Sequence, residues 1–400
     1  MAEPKYRFKR NDGSSYPAWK EMPLGTLVSD NLDPVPTPRE GYRRVGIYCH
    51  AKGTFQEDVP AENVLDVDTM YRIHKDNLIV NITFAWEHAV AIVKPEDEGL
   101  LVSHRFPEYS FNAGQVPGFY KYLVLRPYFR NQLSLASPGG AGRNRVLNKA
   151  QFKKIPVFVP CEEEQQKIAD FLSSVDNVIS TSEQEVANFE TQKKAVMKKV
   201  FSQEVRFKKA DGSDFPEWEE MRIDEAVVIN PRTPPIPDEF YYMDLGSVDH
   251  GQWLDKNIVV RDDAPSRAQR VADMGDVFFQ SVRPYNMGHY CLDTLLDKTV
   301  VASTGFLQLR CNNMLLNRFL FQLLFEENFN KEVDLRCTGQ AYPSINTESF
   351  SEIMIGIPCL EEQHLIADFL SDFDEAIAAA KKELELWKEL KKGLLQQMFV

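Results

Sequence analysis

Basic residues that could bind phosphate groups are concentrated in one stretch of this 400-residue chain. Residues 121–154 contain eight lysines and arginines and no acidic residue, although the chain carries a formal net charge of −13. The glycine-rich sequence SPGGAGRNRVLN at 137–148 lies within this stretch. Backbone amides and guanidinium groups suit phosphates, while Arg and Asn side chains suit base edges. The pattern therefore predicts a local nucleic-acid contact, with a solvated surface loop as the alternative.

Polar and aromatic residues form comparable clusters elsewhere. Arg283, Tyr285, Asn286 and His289 follow a predicted strand, and Trp86 holds the comparable place in the first half of the chain. The sequence CTGQAYPSIN at 337–346 matches the glycine-rich loop. Each cluster could also be ordinary packing. The candidate DNA contacts are Arg43, Arg44, Lys52, Trp86, Arg143, Asn144, Arg145, Lys149, Arg283, Tyr285, Asn286, His289, Gln340 and Tyr342.

Motifs for catalysis are not found in the sequence. There is no GxxxxGK[ST] phosphate loop and no HExxH zinc motif. Asn230-Pro231 is followed by Arg232 rather than by the Pro-aromatic pair of an amino-methyltransferase. The six cysteines lack CxxC spacing, so neither a zinc site nor a disulfide framework is indicated. We therefore expect a chain without catalytic residues, metal or cofactor of its own.

The chain consists of two similar halves. Residues 7–22 and 206–221 match at ten of sixteen positions, and PCEEEQQKIADFL at 160–172 matches PCLEEQHLIADFL at 358–370 at ten of thirteen. The segments between these motifs have diverged, and their short β-rich runs alternate with helical stretches. The sequence predicts an α/β or α+β fold with an internal pseudo-two-fold repeat. The predicted domains are two globular regions, 1–159 and 202–357, and two long helices, 160–201 and 358–400.

A seven-residue apolar repeat runs through both predicted helices, as in coiled coils. Acidic residues fill the first turns and lysines the last, so an antiparallel arrangement would bring opposite charges together. The helices are therefore predicted to pair as an antiparallel coiled coil, the alternative being that each packs on its own domain. The residues expected to mediate pairing are Leu172, Ile179, Val186, Lys193, Leu370, Ile377, Leu384 and Lys391.

The chain opens without a signal-peptide pattern and contains no apolar run of transmembrane length. These features, together with six cysteines that indicate no disulfide framework, predict a cytoplasmic protein without a membrane partner. The negative net charge argues against nonspecific nucleic-acid binding over the whole surface. A nucleic-acid site must therefore be a local basic face, or share contacts with a basic partner.

The repeated motifs resemble the specificity subunit of type I restriction–modification systems. The resemblance rests on EEQQKIADFL at 163–172, EEQHLIADFL at 361–370, the Val175-Asp176 and Phe373-Asp374 steps, and the two opening motifs. NITFAWEHAVA at 81–91 and VVASTGF at 300–306 are also similar to phrases of that family. The resemblance covers essentially the full length.

The resemblance implies that each variable segment is a target-recognition domain for one part of a split double-stranded DNA sequence. It also implies two modification subunits that carry S-adenosylmethionine and methylate adenine. Separate restriction or motor subunits would carry the ATPase and nuclease activities, with ATP and Mg. Because the variable segments differ, we expect two different half-sites. The competing hypothesis is a coiled-coil scaffold that joins two protein-binding modules without a DNA role.

Overall fold

The computed structural model describes residues 3–139 and 145–400. The chain divides into two compact units. Unit 1 consists of the described residues within Met1–Glu183 and Lys382–Val400, and unit 2 consists of Gln184–Lys381. Each long helix contributes one half of its length to each unit.

Unit 1 contains three β-sheets and three short helices. Strands β2-β10-β7-β8 form an antiparallel sheet, β3-β6-β9-β4-β5 form a second sheet in which β4 and β9 are parallel, and β1 pairs with β11. The strands are β1 (Lys20–Pro23), β2 (Val28–Asn31), β3 (Pro34–Pro36), β4 (Gly41–Ile47), β5 (Thr54–Pro60), β6 (Thr69–Arg72), β7 (Leu78–Val80), β8 (Val90–Ile92), β9 (Leu101–Val102), β10 (Glu108–Phe111) and β11 (Pro156–Val159). The helices are α1 (Pro117–Leu123), α2 (Pro127–Leu135) and α3 (Lys149–Lys153).

Unit 2 repeats this plan. Strands β13-β22-β19-β20 reproduce the order of the first antiparallel sheet, and β17-β14-β21-β18 form a sheet in which β14 and β21 are parallel. The strands are β12 (Glu219–Arg222), β13 (Val227–Ile229), β14 (Glu239–Met243), β15 (Val248–Asp249), β16 (Gln252–Trp253), β17 (Asn257–Val260), β18 (Ala268–Val271), β19 (Val277–Gln280), β20 (Tyr290–Cys291), β21 (Val300–Ser303), β22 (Phe306–Cys311) and β23 (Met354–Ile357). The helices are α5 (Ile223–Ala226), α6 (Asn317–Leu323), α7 (Glu327–Arg336) and α8 (Thr347–Ser351). The predicted mixed fold with an internal repeat is confirmed.

The two long helices, α4 (Glu162–Phe201) and α9 (Leu360–Met398), pair in antiparallel fashion within each unit. In unit 1, Lys391 Nζ lies 2.7 Å from Asp176 Oδ1, and in unit 2, Lys193 Nζ lies 2.6 Å from Asp374 Oδ1. Early residues of one helix thus meet late residues of the other. The antiparallel coiled coil is confirmed.

Most of the predicted pairing residues are buried. Leu172 and Leu370 have no exposed surface, while Ile179 is half-buried and Lys193 and Lys391 make the ion pairs just described. The remaining three are 8–9% exposed, namely Val186, Ile377 and Leu384.

The repeated EEQ motif attaches the start of each long helix to the unit in which that helix begins. Arg7 donates hydrogen bonds to both carboxylate oxygens of Glu164, and Arg206 does the same with Glu362. These hydrogen bonds raise the pKa of both arginines. The next residue, Gln165 in unit 1, accepts from the Val116 amide and donates to the Pro160 carbonyl. The motif therefore satisfies backbone groups near the start of the helix.

None of the helices in residues 3–139 and 145–400 combines the length and apolar character that a membrane crossing requires.

Candidate nucleic-acid interface

In unit 2, the turn after β19 and the loop after α7 are joined by backbone contacts. The Arg283 amide donates to the Pro343 carbonyl at 2.7 Å, and Val282 forms an isolated bridge with Ser344. A short 3₁₀ helix, Pro284–Asn286, lies between Arg283 and Met287, both of which have φ of 52°. Non-glycine residues rarely adopt this backbone region, and such positions concentrate at functional sites.

This junction brings together most of the predicted unit 2 contacts. The Arg283 guanidinium lies 4.2 Å from the centre of the Tyr342 ring. Tyr285 and Tyr342 are 56% and 64% exposed, and Asn286 and Gln340 are also exposed on the two joined segments. The surface formed by these five residues, here called the unit 2 face, combines one guanidinium, two aromatic rings and two amides. Stacking on an aromatic ring leaves the N–H groups of an arginine available for phosphate or base oxygens.

His289 does not belong to this surface. Its side chain is fully buried and stacks on Phe279 with ring centres 4.5 Å apart. Burial lowers the pKa of His289 to about 3, and its Nδ1 accepts a hydrogen bond from the Gln280 amide. This position in the core corrects the expectation of a DNA contact at His289. Its place after a strand is visible in the sequence, but its packing against Phe279 and Phe325 is not.

The corresponding surface of unit 1 also pairs an arginine with an aromatic ring, but the two segments that supply them are exchanged. A 3₁₀ helix after β7, Ala85–Glu87, supplies the aromatic Trp86, and the segment after α2 supplies Arg145. The Arg145 guanidinium lies 5.4 Å from the centre of the Trp86 ring. It also donates to the carbonyls of Ser134 and Ser137 at 2.6 and 3.0 Å. Both units thus place an arginine over an aromatic ring at equivalent positions of the repeat.

Five further residues line the same concave surface in unit 1, and none of them is among the contacts predicted from the sequence. The cavity that contains Trp86 and Arg145 is also lined by the exposed side chains of His50, Arg130 and Asn131 and by the half-buried Glu87 and Ser134. Arg130 belongs to the basic run, whereas nothing in the sequence linked His50 to Trp86. The part of this surface that is formed by His50, Trp86, Arg130, Asn131 and Arg145 is called the unit 1 face, and the Glu87 carboxylate lies beside it.

Lys52 is carried by a turn that is attached to the unit 1 face. The amides of His50 and Ala51 donate to the carbonyls of Glu87 and His88, both at 2.8 Å. In the same turn, the Cys49 thiol donates to Glu87, and burial together with this carboxylate raises the thiol pKa to about 11. Lys52 itself is exposed.

Other predicted contacts have different positions. Arg43 and Arg44 lie on β4, where they form ion pairs with Asp58 and Glu57 of β5 at 3.5 and 2.8 Å. Their charge is therefore partly compensated within the sheet. Lys149 is exposed at the first residue of α3. Arg143 and Asn144 lie outside the described residues.

The basic run of unit 1 is only partly available to a ligand. Lys121 binds Asp176, Arg126 donates to the Leu395 carbonyl, and Lys153 binds Asp30. In the described part of the chain, Arg130, Lys149 and Lys154 make no ion pair with an acidic side chain and are exposed. The functional cationic surface is thus smaller than the sequence count indicates.

The described residues contain no cluster of three or more His, Cys, Asp or Glu side chains that could hold a metal ion.

Comparisons with known proteins identify the family. The family model for the type I restriction modification DNA specificity domain matches residues 65–189 and 256–386. These two matches cover more than half of the chain, one in each repeat. The chain belongs to this family. It is a DNA specificity subunit of a type I restriction–modification system.

Individual relatives agree with this assignment. The type I restriction enzyme MjaVIII specificity subunit of Methanocaldococcus jannaschii is 28% identical over 295 residues, which cover 69% of this chain and 67% of the relative. The crystal structure of a type I restriction–modification S subunit from M. genitalium is 14% identical, with a TM-score of 0.60 over 100% of this chain and 99% of that one. A chain from a structural study of type I R-M complex assembly has a TM-score of 0.54 and 19% identity, covering 96% and 98% of the two chains. The structural matches show that the fold is shared.

Proposed function

We propose that this specificity subunit binds a bipartite, asymmetric DNA target and directs adenine methylation and DNA restriction by partner subunits. The observation that carries the proposal is the arginine–aromatic pair at the equivalent position of each unit, Arg145 with Trp86 and Arg283 with Tyr342. In this proposal the regions 1–159 and 202–357 are the two target-recognition domains. Each contributes one of the two faces to DNA.

The two faces support different half-sites because their side chains differ. The unit 1 face contains a tryptophan, a histidine, two arginines and one amide, whereas the unit 2 face contains two tyrosines, one arginine and two amides. Arginine favours the O6 and N7 atoms of guanine, while Asn and Gln favour the N6 and N7 atoms of adenine. Two faces with different donor sets are suited to a nonpalindromic target.

Chemistry is assigned to the partners in this proposal. Two modification subunits would bring S-adenosylmethionine and methylate adenine, and restriction subunits would bring ATP and Mg. The specificity subunit itself would act without catalysis, since the relative from M. jannaschii is named a specificity subunit of a restriction enzyme. A basic partner surface would also supplement the limited cationic surface of an acidic chain.

A binding selection tests the proposal. The subunit would be combined with its modification partner and a random duplex library, and bound sequences would be read after mobility-shift selection. We expect two defined blocks separated by an undefined spacer. Enrichment of no sequence, with intact folding by circular dichroism, would instead favour a scaffold without a DNA role.

A single substitution in unit 2 then assigns its face to one block of the target. Arg283→Ala should relax selection in one block only, by roughly 1–3 kcal/mol of discrimination if the guanidinium makes a bidentate base contact. Arg261→Ala is the matched control, because Arg261 is an exposed arginine of unit 2 that pairs with Asp238 at 3.0 Å. It should leave both blocks unchanged.

A further inference from the structure

Charged residues near the middle of the two long helices differ systematically between the repeats. Residues 183 and 381 are equivalent positions of α4 and α9, as are residues 190 and 388. Both positions are glutamate in α4, namely Glu183 and Glu190, and both are lysine in α9, namely Lys381 and Lys388. Elsewhere on the pairing surface the helices carry the same charged residues, including the repeated Asp and Lys of the partly buried ion pairs, while a neutral pair such as Ser182 and Ala380 differs without a change in charge.

These four residues contact one another across the helix pair. Lys388 Nζ lies 3.2 Å from Glu183 Oε1 in unit 1, and Lys381 Nζ lies 2.7 Å from Glu190 Oε1 in unit 2. Hydrogen bonding to Glu183 raises the pKa of Lys388. Each glutamate of α4 therefore meets the lysine at the non-equivalent position of α9.

The same register would be unfavourable between two copies of one helix. If α4 paired with another α4, Glu183 would face Glu190 at both contacts. If α9 paired with another α9, Lys381 would face Lys388 at both contacts. Like charges at such contacts repel one another by amounts similar to the attraction of opposite charges.

The partly buried ion pairs do not distinguish α4 from α9. Asp176 with Lys391 and Asp374 with Lys193 use an aspartate and a lysine that both helices carry at equivalent positions. Two copies of α4 could form both pairs equally well. The apolar pairing residues are likewise similar in the two helices, so discrimination must come from the glutamate and lysine positions.

We propose that Glu183, Glu190, Lys381 and Lys388 form a charge code that makes each long helix select the other half of the repeat and reject a copy of itself. The surface of α4 is thus suited to bind α9, and the surface of α9 is suited to bind α4. This conclusion concerns helix pairing alone and does not depend on the proposed DNA target.

The size of the effect follows from the exposure of the four side chains, which lies between 41% and 52%. An exposed ion pair changes an equilibrium by a factor of roughly two, and a like-charged pair by a similar factor in the opposite sense. Replacing two attractions by two repulsions should therefore shift the pairing equilibrium by about 16-fold.

Full-length variants reproduce each like-with-like pairing inside one chain. Lys381→Glu with Lys388→Glu gives α9 the charges of α4, and Glu183→Lys with Glu190→Lys gives α4 the charges of α9. The quadruple variant restores opposite charges in reversed order. Hydrogen exchange of residues 180–192 and 379–390 reports local opening of the paired helices in the native chain.

We expect each double reversal to increase local opening by about 16-fold, and the quadruple variant to return to within about threefold of the natural chain. The matched control is Lys382→Glu with Lys392→Glu, which makes the same change in net charge as Lys381→Glu with Lys388→Glu. In the described residues neither lysine has an acidic group within 4 Å. Its opening should change little, and 1 M NaCl should reduce the differences among all variants.

The proposal is overturned if the quadruple variant opens as readily as the two double reversals, or if the control opens to the same extent. Should a reversal prevent folding, the neutral variants Lys381→Gln with Lys388→Gln, and Glu183→Gln with Glu190→Gln, give a second measurement. Each should increase opening by about fourfold, because two attractions are lost without added repulsion. No increase in either neutral variant would also refute the charge code.

Discussion

Replacement of Asp176 by Asn should loosen the end of α9 in unit 1 and leave unit 2 unchanged. The Asp176 carboxylate accepts hydrogen bonds from Lys391 and Lys121, at 2.7 and 2.9 Å, and from the Tyr122 hydroxyl at 2.9 Å. Burial tends to raise the pKa of Asp176, but these three donors outweigh it and hold the pKa below its ordinary value. The carboxylate is therefore charged at neutral pH, and its stabilising effect is lost only as the pH falls through that lowered pKa.

The magnitude follows from the loss of this charge. Asp176 is only 21% exposed, and asparagine retains one acceptor oxygen and nearly the same shape. Two lysines then lose their counter-charge, one of them 27% exposed and the other 54%. Hydrogen bonds to charged groups contribute about 1.5–3 kcal/mol when buried, and solvent screening reduces the contribution of Lys121. We expect a loss of about 2 kcal/mol, which raises local opening roughly 30-fold.

Hydrogen exchange followed by mass spectrometry measures this opening separately in each unit. Peptides from 382–398 should lose protection in Asp176→Asn, whereas peptides from 360–381 should not. Asp374→Asn is the matched variant, because Asp374 accepts from Lys193 and Gln322 in unit 2. Asp374→Asn should reduce protection of peptides from 360–381 in unit 2 and leave peptides from 382–398 in unit 1 unchanged. Equal loss of protection in both units from either variant would refute the assignment of one partly buried ion pair to each unit.

Three further predictions concern the DNA face, the core and the spacing of the target. Tyr342→Ala removes the ring beneath Arg283 and should weaken DNA binding by the complex by about 0.5–2 kcal/mol, because the cation–π contact is lost. Fluorescence anisotropy measures this affinity, and an unchanged value would show that the pair does not contact DNA. His289 has a pKa of about 3 when folded and near 6.5 when unfolded, so only the unfolded state takes up its proton between these values. The free energy of unfolding of unit 2 should therefore fall by about 1.4 kcal/mol per pH unit from pH 6 to 4. His289→Gln should flatten this dependence in urea unfolding monitored by hydrogen exchange. Insertion of one heptad into both α4 and α9 should lengthen the helices by roughly 10 Å, and the mapped spacer by about three base pairs, while the half-sites stay the same; an unchanged spacer in an active variant would show that helix length does not set the spacing.

Local sequence patterns were sufficient to predict the repeat and the paired helices. A seven-residue apolar period is a property of neighbouring residues, so Leu172, Leu370 and Leu384 could be assigned to the buried surface before any tertiary contact was known. The acidic starts and basic ends of the helices likewise indicated their antiparallel order. The charge difference at Glu183 and Lys381 was visible in the sequence as well. Its consequence required knowledge of which residues face each other.

Which of the other predicted residues are available for binding depends on contacts between residues that are distant in sequence. Lys121 and Lys153 appeared available for phosphate, but their partners Asp176 and Asp30 lie 55 and 123 residues away. Arg43 and Arg44 needed the register of β4 with β5 before their pairing with acids could be recognised. Trp86 was selected from its place after a strand, whereas His50 joined it only through the backbone hydrogen bond to Glu87. Such pairings depend on tertiary structure and leave no local periodicity.

Mapping of adenine methylation in host DNA tests the central claim most directly. Cells would carry the modification partner with the natural subunit, with the Arg283→Ala variant, or without the subunit, and long-read sequencing would locate the methylated motifs. We predict a two-part, nonpalindromic motif that requires the natural subunit and that loses discrimination in one block only in Arg283→Ala. A methylation pattern that persisted unchanged without the subunit would contradict its role in DNA recognition.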